Sequence, residues 1–372
     1  MEPLAHTLAG ACLAEAGLKR TTPLAASTLI IAANLPDLLD APSYLAGSDL
    51  AFAFRRGYTH GILAMFLLPA LLAWAVLAFD RYGRRRWSPD ARPAEAWPLL
   101  AVAVVGVLSH PFLDWLNNYG VRLLMPFDGQ WFYGDAVYIV DPWLWLLFGG
   151  AVMLAWTRRR SGAIVWAVIG VGTSALVLSV DLVPGWAKLV WAGAVAGLLA
   201  VRWALPERCL GWTARVSLVL AAAYIAIMIT GSHIAERQVR ELARSRGWDI
   251  DRVAAMPVPA DPLHREVIAV TPHAYLFVPV NWTHTLDAAS QPTEVPRGTY
   301  DPVVAAALEA PSVAGVREWL RFPSYEVQAR HGGMSRVIIR DARFAVGNRP
   351  GFGVVAIVDL DAHLKPVTSP AR

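Results

Sequence analysis

The chain has 372 residues, of which 56% are hydrophobic, and a mean hydropathy of +0.41. That balance excludes an ordinary soluble globule, and the length allows two domains. The net charge of +4 and pI near 9.2 would suit a nucleic-acid binder. The Arg residues sit in short clusters between apolar blocks, however, so they read as membrane topology and no nucleic-acid partner is expected.

In chain order, residues 4–17 and 22–35 are short apolar segments joined by Leu18-Lys19-Arg20-Thr21. At about 14 residues and roughly 21 Å each as helices, they fall short of a full span and predict a hairpin packed inside a bundle. No Lys or Arg precedes Lys19, so no cleavable signal peptide is expected. Apolar blocks at 61–79, 97–117, 138–156, 163–181, 186–204 and 214–231 predict about six full spans. Trp97, Trp115, Trp143, Trp156, Trp186 and Trp203 lie at their ends, as an interfacial aromatic belt would. Cys12 and Cys209 both fall in or beside apolar segments, which argues against a disulfide framework or a Cys-based zinc site.

Loop charge sets an orientation. Arg81, Arg84, Arg85, Arg86 and Arg92 follow the first long block, Arg158, Arg159 and Arg160 the third, and Arg202, Arg208 and Arg215 surround the fifth connection. The alternate loops, 118–137 and 181–185, carry only Arg122. The positive-inside rule puts the Arg-rich loops in the cytoplasm and everything after Ile234 outside. From about residue 236 the chain changes character. A Pro-rich linker (Met256-Pro-Val-Pro-Ala-Asp-Pro262) and β-like runs at 265–280, 335–345 and 352–359 predict a small β-rich domain. The expected fold is therefore an all-α polytopic membrane bundle over 1–235 followed by a β-rich extracytoplasmic domain over 236–372.

The chemistry concentrates in the first 145 residues. Trp97 to Gly120 opens as an apolar run and closes with His110, Asp114 and Asn117. On one helix these fall within about 40° of one another, and an imidazole and a carboxylate one turn apart suit a divalent metal. His6, Asn34-Leu-Pro-Asp37 with Asp40, and Arg55-Arg56-Gly57-Tyr58-Thr59-His60 add further candidates. Each has a plain structural reading as well: a core histidine, a Pro36-broken helix end, a Thr59 cap. The charge-derived orientation places His6, Asp37, His60, His110 and Asp114 at one level near the outer face, and a metal site accounts for that convergence. Two or three His with two Asp suit zinc first, with manganese or iron as alternatives, and disfavour all-oxygen calcium binding. Asp135 and Asp141 in the following loop lie on the same side, and Asp141 is a candidate contributor.

These motifs resemble the bacterial membrane-bound metal-dependent hydrolases described as LexA-binding, inner-membrane-associated proteins of the YdjM type. The resemblance covers about residues 1–145 and rests on His6 with Gly10, Asn34-Leu-Pro-Asp37, Arg56-Gly-Tyr-Thr-His60, and His110 with Asp114. The stretch from Gly134 to Trp143 is similar to the longer, YfhP-like members. Gly61 departs from the pattern, since a Ser is common after the histidine. The resemblance implies a bacterial inner-membrane enzyme. Its proposed similarity to zinc-dependent phospholipase C implies phosphoester substrates, with membrane lipids or lipid-linked head groups as partners.

The expected function is thus hydrolysis by a metal-activated water, with His6, Asp37, His60, His110 and Asp114 as ligands. One of Asp37, Asp40 and Asp141 is expected to serve instead as general base, and Arg56 or Arg122 as the partner of a substrate phosphate. The alternative is a metal-binding membrane regulator or assembly factor without catalysis, whose C-terminal residues bind partners. A transporter ranks third, because 163–231 offers only scattered Ser and Thr with Asp181 and Lys188.

Overall fold

A computed structural model describes residues 1–45, 48–157, 160–204, 210–283, 292–344 and 353–367. Arg158, Arg159, Arg208, Cys209 and His284 lie outside those residues.

The chain begins with helices α1 (Pro3–Glu15), α2 (Ala25–Ala32), α3 (Leu35–Leu45) and α4 (Ser48–Phe54). Glu2 caps α1 by accepting from the amides of Leu4 and Ala5. The expected hairpin is present as α1 and α2, but Pro36 opens a helix instead of closing one. It sits in the first turn of α3, where its missing N–H has no helical partner to lose.

Helix α5 (Ile62–Phe79) continues through a π-turn (Asp80–Arg84) into the short α6 (Arg85–Trp87), so the Arg cluster begins as helix and not as loop. Then come α7 (Ala96–Trp115), α8 (Pro142–Trp156), α9 (Arg160–Ser179), α10 (Gly185–Ala204) and α11 (Leu210–Arg246). Among the described residues, five helices are long and apolar enough to cross a membrane: Ile62–Trp87, Ala96–Trp115, Arg160–Ser179, Gly185–Ala204 and Trp212–Arg246. The block at 138–156 yields only the 15 residues of α8, about 22 Å against a hydrocarbon core of about 30 Å. Only 6% of the apolar window of α9 and 11% of that of α10 is buried within the chain, as expected of helices that face lipid.

The chain divides into two compact units. The first comprises Met1–Leu39, Arg56–Gly231 and Pro257–Pro262, and the second Asp40–Arg55, Ser232–Met256 and Leu263–Arg372. In the first, α1 packs against α2 and α8, and α2 against α7. Gly106 makes the last contact possible, because a Cβ there would come within 2.5 Å of Ala32 Cβ and 3.1 Å of the Leu29 carbonyl oxygen.

The second unit holds two sheets. Strands β1 (Arg252–Val258), β2 (Asp261–Val270), β3 (Ala274–Asn281) and β4 (Thr293–Pro296) form one in that order. Strands β5 (Pro323–Ala329), β6 (Ser335–Asp341) and β7 (Val354–Leu360) form the other, all antiparallel. The expected linker at 256–262 is therefore strand, turn and strand. The run 265–280 is a hairpin, turned at Thr271, whose hydroxyl accepts from the Ala274 amide. Val267 and Ala269 pack on the Ala235–Val239 face of α11, while Ile268 and Val270 pack against Phe322 and Ala342. Burial on both faces is why the run reads as continuously apolar. Helices α12 (Pro302–Leu308) and α13 (Ala314–Trp319) complete the unit, and Phe52 of α4 meets Trp319 with ring centroids 5.2 Å apart.

Glu266 lies on β2, where burial pushes its carboxyl up to about 7. The folded state then holds the proton more tightly than the unfolded chain. The stability it contributes is complete below the unfolded value and is lost as pH rises through the folded one. Glu266→Gln is expected to match the parent near about pH 4 and to exceed it near about pH 8, by at most about 3 kcal/mol. Thermal unfolding of the full chain in detergent across that range checks this, and parallel curves would contradict it.

Candidate metal centre

Helix α5 runs away from His60 and α7 returns to His110 and Asp114, so antiparallel packing brings both helix ends to one level. The first turn of α3 adds Asp37. Ligand atoms of Asp37, His60, His110 and Asp114 all lie within 4.8 Å of one another. His6, on α1, stacks on the His110 ring at 3.8 Å between centroids, and its Nε2 is 3.3 Å from Asp114 Oδ1. Of the five expected ligands, four form this group and His6 stands directly against it.

The ring orientations are set by the backbone. His110 Nδ1 lies 2.6 Å from the Ala33 carbonyl oxygen. That oxygen can only accept, so Nδ1 carries the proton and Nε2 presents its lone pair to the cluster. His60 Nδ1 is 2.8 Å from the Thr59 hydroxyl, and its Nε2 faces His110 Nε2 at 3.0 Å. Asp114 Oδ2 lies 3.3 Å from His60 Nε2 and 3.5 Å from His110 Nε2. Asp37 Oδ1 lies 3.5 and 3.6 Å from the same two nitrogens.

The His110 Nε2 lone pair thus faces the acceptor oxygens of Asp37 and Asp114. Asp114 Oδ2 and His6 Nδ1 are buried without a hydrogen-bond partner, which is costly unless a cation serves them. A tetrahedral ion with bonds of about 2.1 Å spaces its ligands by about 3.4 Å, close to the separations found. The residues fit a divalent ion, and the mixed N/O set is one that zinc, manganese and iron(II) share.

A shell of buried groups holds Asp114. Arg56 Nη2 lies 2.9 Å from Asp114 Oδ1 and 3.3 Å from the Met1 carbonyl oxygen. Its Nη1 donates to Asn117 Oδ1 and to the Gly120 carbonyl, both at 3.2 Å. The guanidinium also covers the Tyr119 ring at 4.6 Å. The Met1 amino group contacts Asp114 as well. Arg56 has φ +51°, a left-handed conformation that a non-glycine residue holds only when its surroundings fix it. Its carbonyl accepts from the Arg122 amide at 2.9 Å, and the Ile62 amide donates to the Leu123 carbonyl at 2.9 Å. The 118–137 loop therefore clamps the His60 turn from both sides.

This geometry revises several expectations. Asn117 is not on the helix with His110 and Asp114, because α7 ends at Trp115 and Asn117 pairs with Val137 beyond it. Arg56 is committed to Asp114, and Arg122 is buried with its guanidinium 5.0 Å over the Trp131 ring. Asp141 stands outside the group of four. It caps α8 by accepting from the Leu144 amide at 3.0 Å, and its other oxygen accepts from the Tyr224 hydroxyl at 2.8 Å. Asp40 is buried and falls in the second unit. Ala33 and Met1 were not expected at the site. Both act through backbone groups, which residue type does not signal.

The class defined is a multi-pass membrane protein with a buried His/Asp group at one end of its helices. The model of the YdjM inner membrane protein family matches residues 1–186, half of the chain, and the chain belongs to that family. No curated protein and no solved structure matches it.

Gly61 has a local cause. A Cβ there would come within 2.3 Å of the Met125 carbonyl oxygen. Gly61→Ser should therefore destabilise the protein by about 1–3 kcal/mol through overpacking, and an unchanged melting temperature would contradict the account. Arg56→Met leaves the buried Asp114 short of a cation and should cost about 3–5 kcal/mol. Thermal unfolding with and without added zinc checks this, and zinc should restore part of the loss.

Proposed function

We propose that this protein is a membrane-bound metal-dependent hydrolase that cleaves an ester or phosphoester at the outer face of the membrane. The observation that carries the reading is the pair of imidazole Nε2 atoms, 3.0 Å apart, with the Asp37 and Asp114 carboxylates beside them. His60, His110 and Asp114 would hold the ion, with His6 beside them and Asp37 at the edge of the group. A divalent ion there supplies Lewis acidity and brings the pKa of a water toward neutrality.

The chain's own residues do the rest. Ala33 and Thr59 fix which imidazole nitrogens face inward. Arg56 holds the Asp114 carboxylate in place. Asp37, whose side chain is 31% exposed, is the group of the cluster that reaches the surface. It is placed to orient an incoming water and take its proton at Oδ. The outer placement of the site, and of the residues after Ile234, rests on Arg81, Arg84, Arg85, Arg86 and Arg92 between α5 and α7.

One observation favours a non-catalytic metal-binding regulator: four protein ligands are enough to close a tetrahedral ion. Turnover separates the two. Protein in nanodiscs, stripped with chelator and reloaded with zinc or manganese, is expected to hydrolyse members of an ester and phosphodiester panel only when metal is present. Asp37→Asn should lower kcat by on the order of 100-fold. A fully loaded protein that turns over nothing in the panel would support the regulator instead.

A further inference from the structure

We infer that the one open edge of the metal centre faces the bilayer, so that the site takes an amphiphile with an anionic head group whose hydrocarbon stays in the membrane. This rests on the hydrolase reading and names its substrate class.

The side chains of His6, His60, His110 and Asp114 have no exposed surface, and only Asp37 reaches out. Arg56, Asn117, Asn118, Tyr119 and Arg122 are buried, while Asn34 and Thr59 are half-buried. Arg56 bonds to Asn117 and to the Gly120 carbonyl, Asn117 accepts from the Tyr119 amide, and the guanidinium covers the Tyr119 ring.

The exposed neighbours of the ligands are of the opposite kind. Leu38, beside Asp37, is 59% exposed. Ile62, two residues after His60, is 39% exposed, and Phe112, two residues after His110, is 48% exposed. Each segment turns its ligand inward and a large apolar side chain outward. Ile62 and Phe112 belong to helices apolar and long enough to span a membrane, and apolar side chains exposed on such helices meet lipid. A head group that approaches Asp37 across this rim leaves its tail among like side chains. A free water-soluble anion would have to cross the same apolar rim and lose its hydration.

The test is spin-label accessibility in nanodiscs of phosphatidylethanolamine and phosphatidylglycerol. Labels are placed at Leu38→Cys, Ile62→Cys and Phe112→Cys in a Cys12→Ala, Cys209→Ser background. Val171→Cys on the exposed face of α9 serves as lipid reference, and Gln130→Cys in the exposed 128–130 turn as water reference. The three rim labels are expected to match Val171→Cys, relaxed by oxygen and protected from a water-soluble nickel chelate. Labels that match Gln130→Cys would overturn the proposal.

A second arm needs no substitution. Wild-type protein loaded with cobalt(II) is titrated with dioleoyl phosphatidic acid in the disc or with inorganic phosphate in the buffer. The cobalt absorption band is expected to shift with the lipid and not with inorganic phosphate. An equal shift with both, or with neither, would overturn the proposal. Failure to take up cobalt at all would instead sink the hydrolase reading, and the label accessibilities would still decide which way the edge faces.

Discussion

A carboxylate with no exposed surface is costly to bury unless cations and donors surround it, and the first unit is arranged around that need at Asp114. Arg56 approaches from one side and the Met1 amino group beside it, while three imidazoles lie on the other. Reaching Asp114 forces Arg56 into a left-handed backbone conformation, and the backbone bonds from Arg122 and Leu123 fix the turn that carries it. The same turn presents His60. One buried charge thus ties together the start of α1, the entry of α5, the end of α7 and the loop that follows.

That arrangement leaves the His110 Nε2 lone pair facing the acceptor oxygens of Asp37 and Asp114. Protein donors satisfy Asp114 Oδ1 but not Oδ2, and backbone carbonyl chemistry removes the inward proton from His110. Such a centre is either badly strained or built for a cation. The close packing at Gly106 holds α2 against α7 and so keeps the Ala33 carbonyl under the His110 ring, which is the act of a structure that fixes a tautomer. Membership of the YdjM inner membrane protein family and five membrane-length helices place this centre in a multi-pass membrane protein.

Much of this was legible in the sequence, because His110-x-x-x-Asp114, Asn34-Leu-Pro-Asp37 and Arg56-Gly-Tyr-Thr-His60 are polar interruptions of apolar runs, where burial of such groups demands a reason. The level of the helix ends followed from Arg spacing alone. What escaped depended on backbone. Helix α7 stops two residues before Asn117, Pro36 starts a helix that periodicity had ended, and the Pro-rich 256–262 stretch folds as strand and turn. The 40–55 excursion belongs with the C-terminal residues through pairs such as Phe52 and Trp319. Nothing in local composition announces a contact across so long a stretch of chain. The Gly61 departure likewise became intelligible only with the Met125 carbonyl beside it.

The most direct test of the central claim is elemental mass spectrometry of protein purified in detergent without added metal, beside His60→Ala and His110→Ala. A shared centre predicts about one or two equivalents of a divalent transition metal in the wild type, lost in both variants. Wild-type protein that carries no metal, and takes none up on addition, would contradict the account, and the cluster would then stand as packing alone.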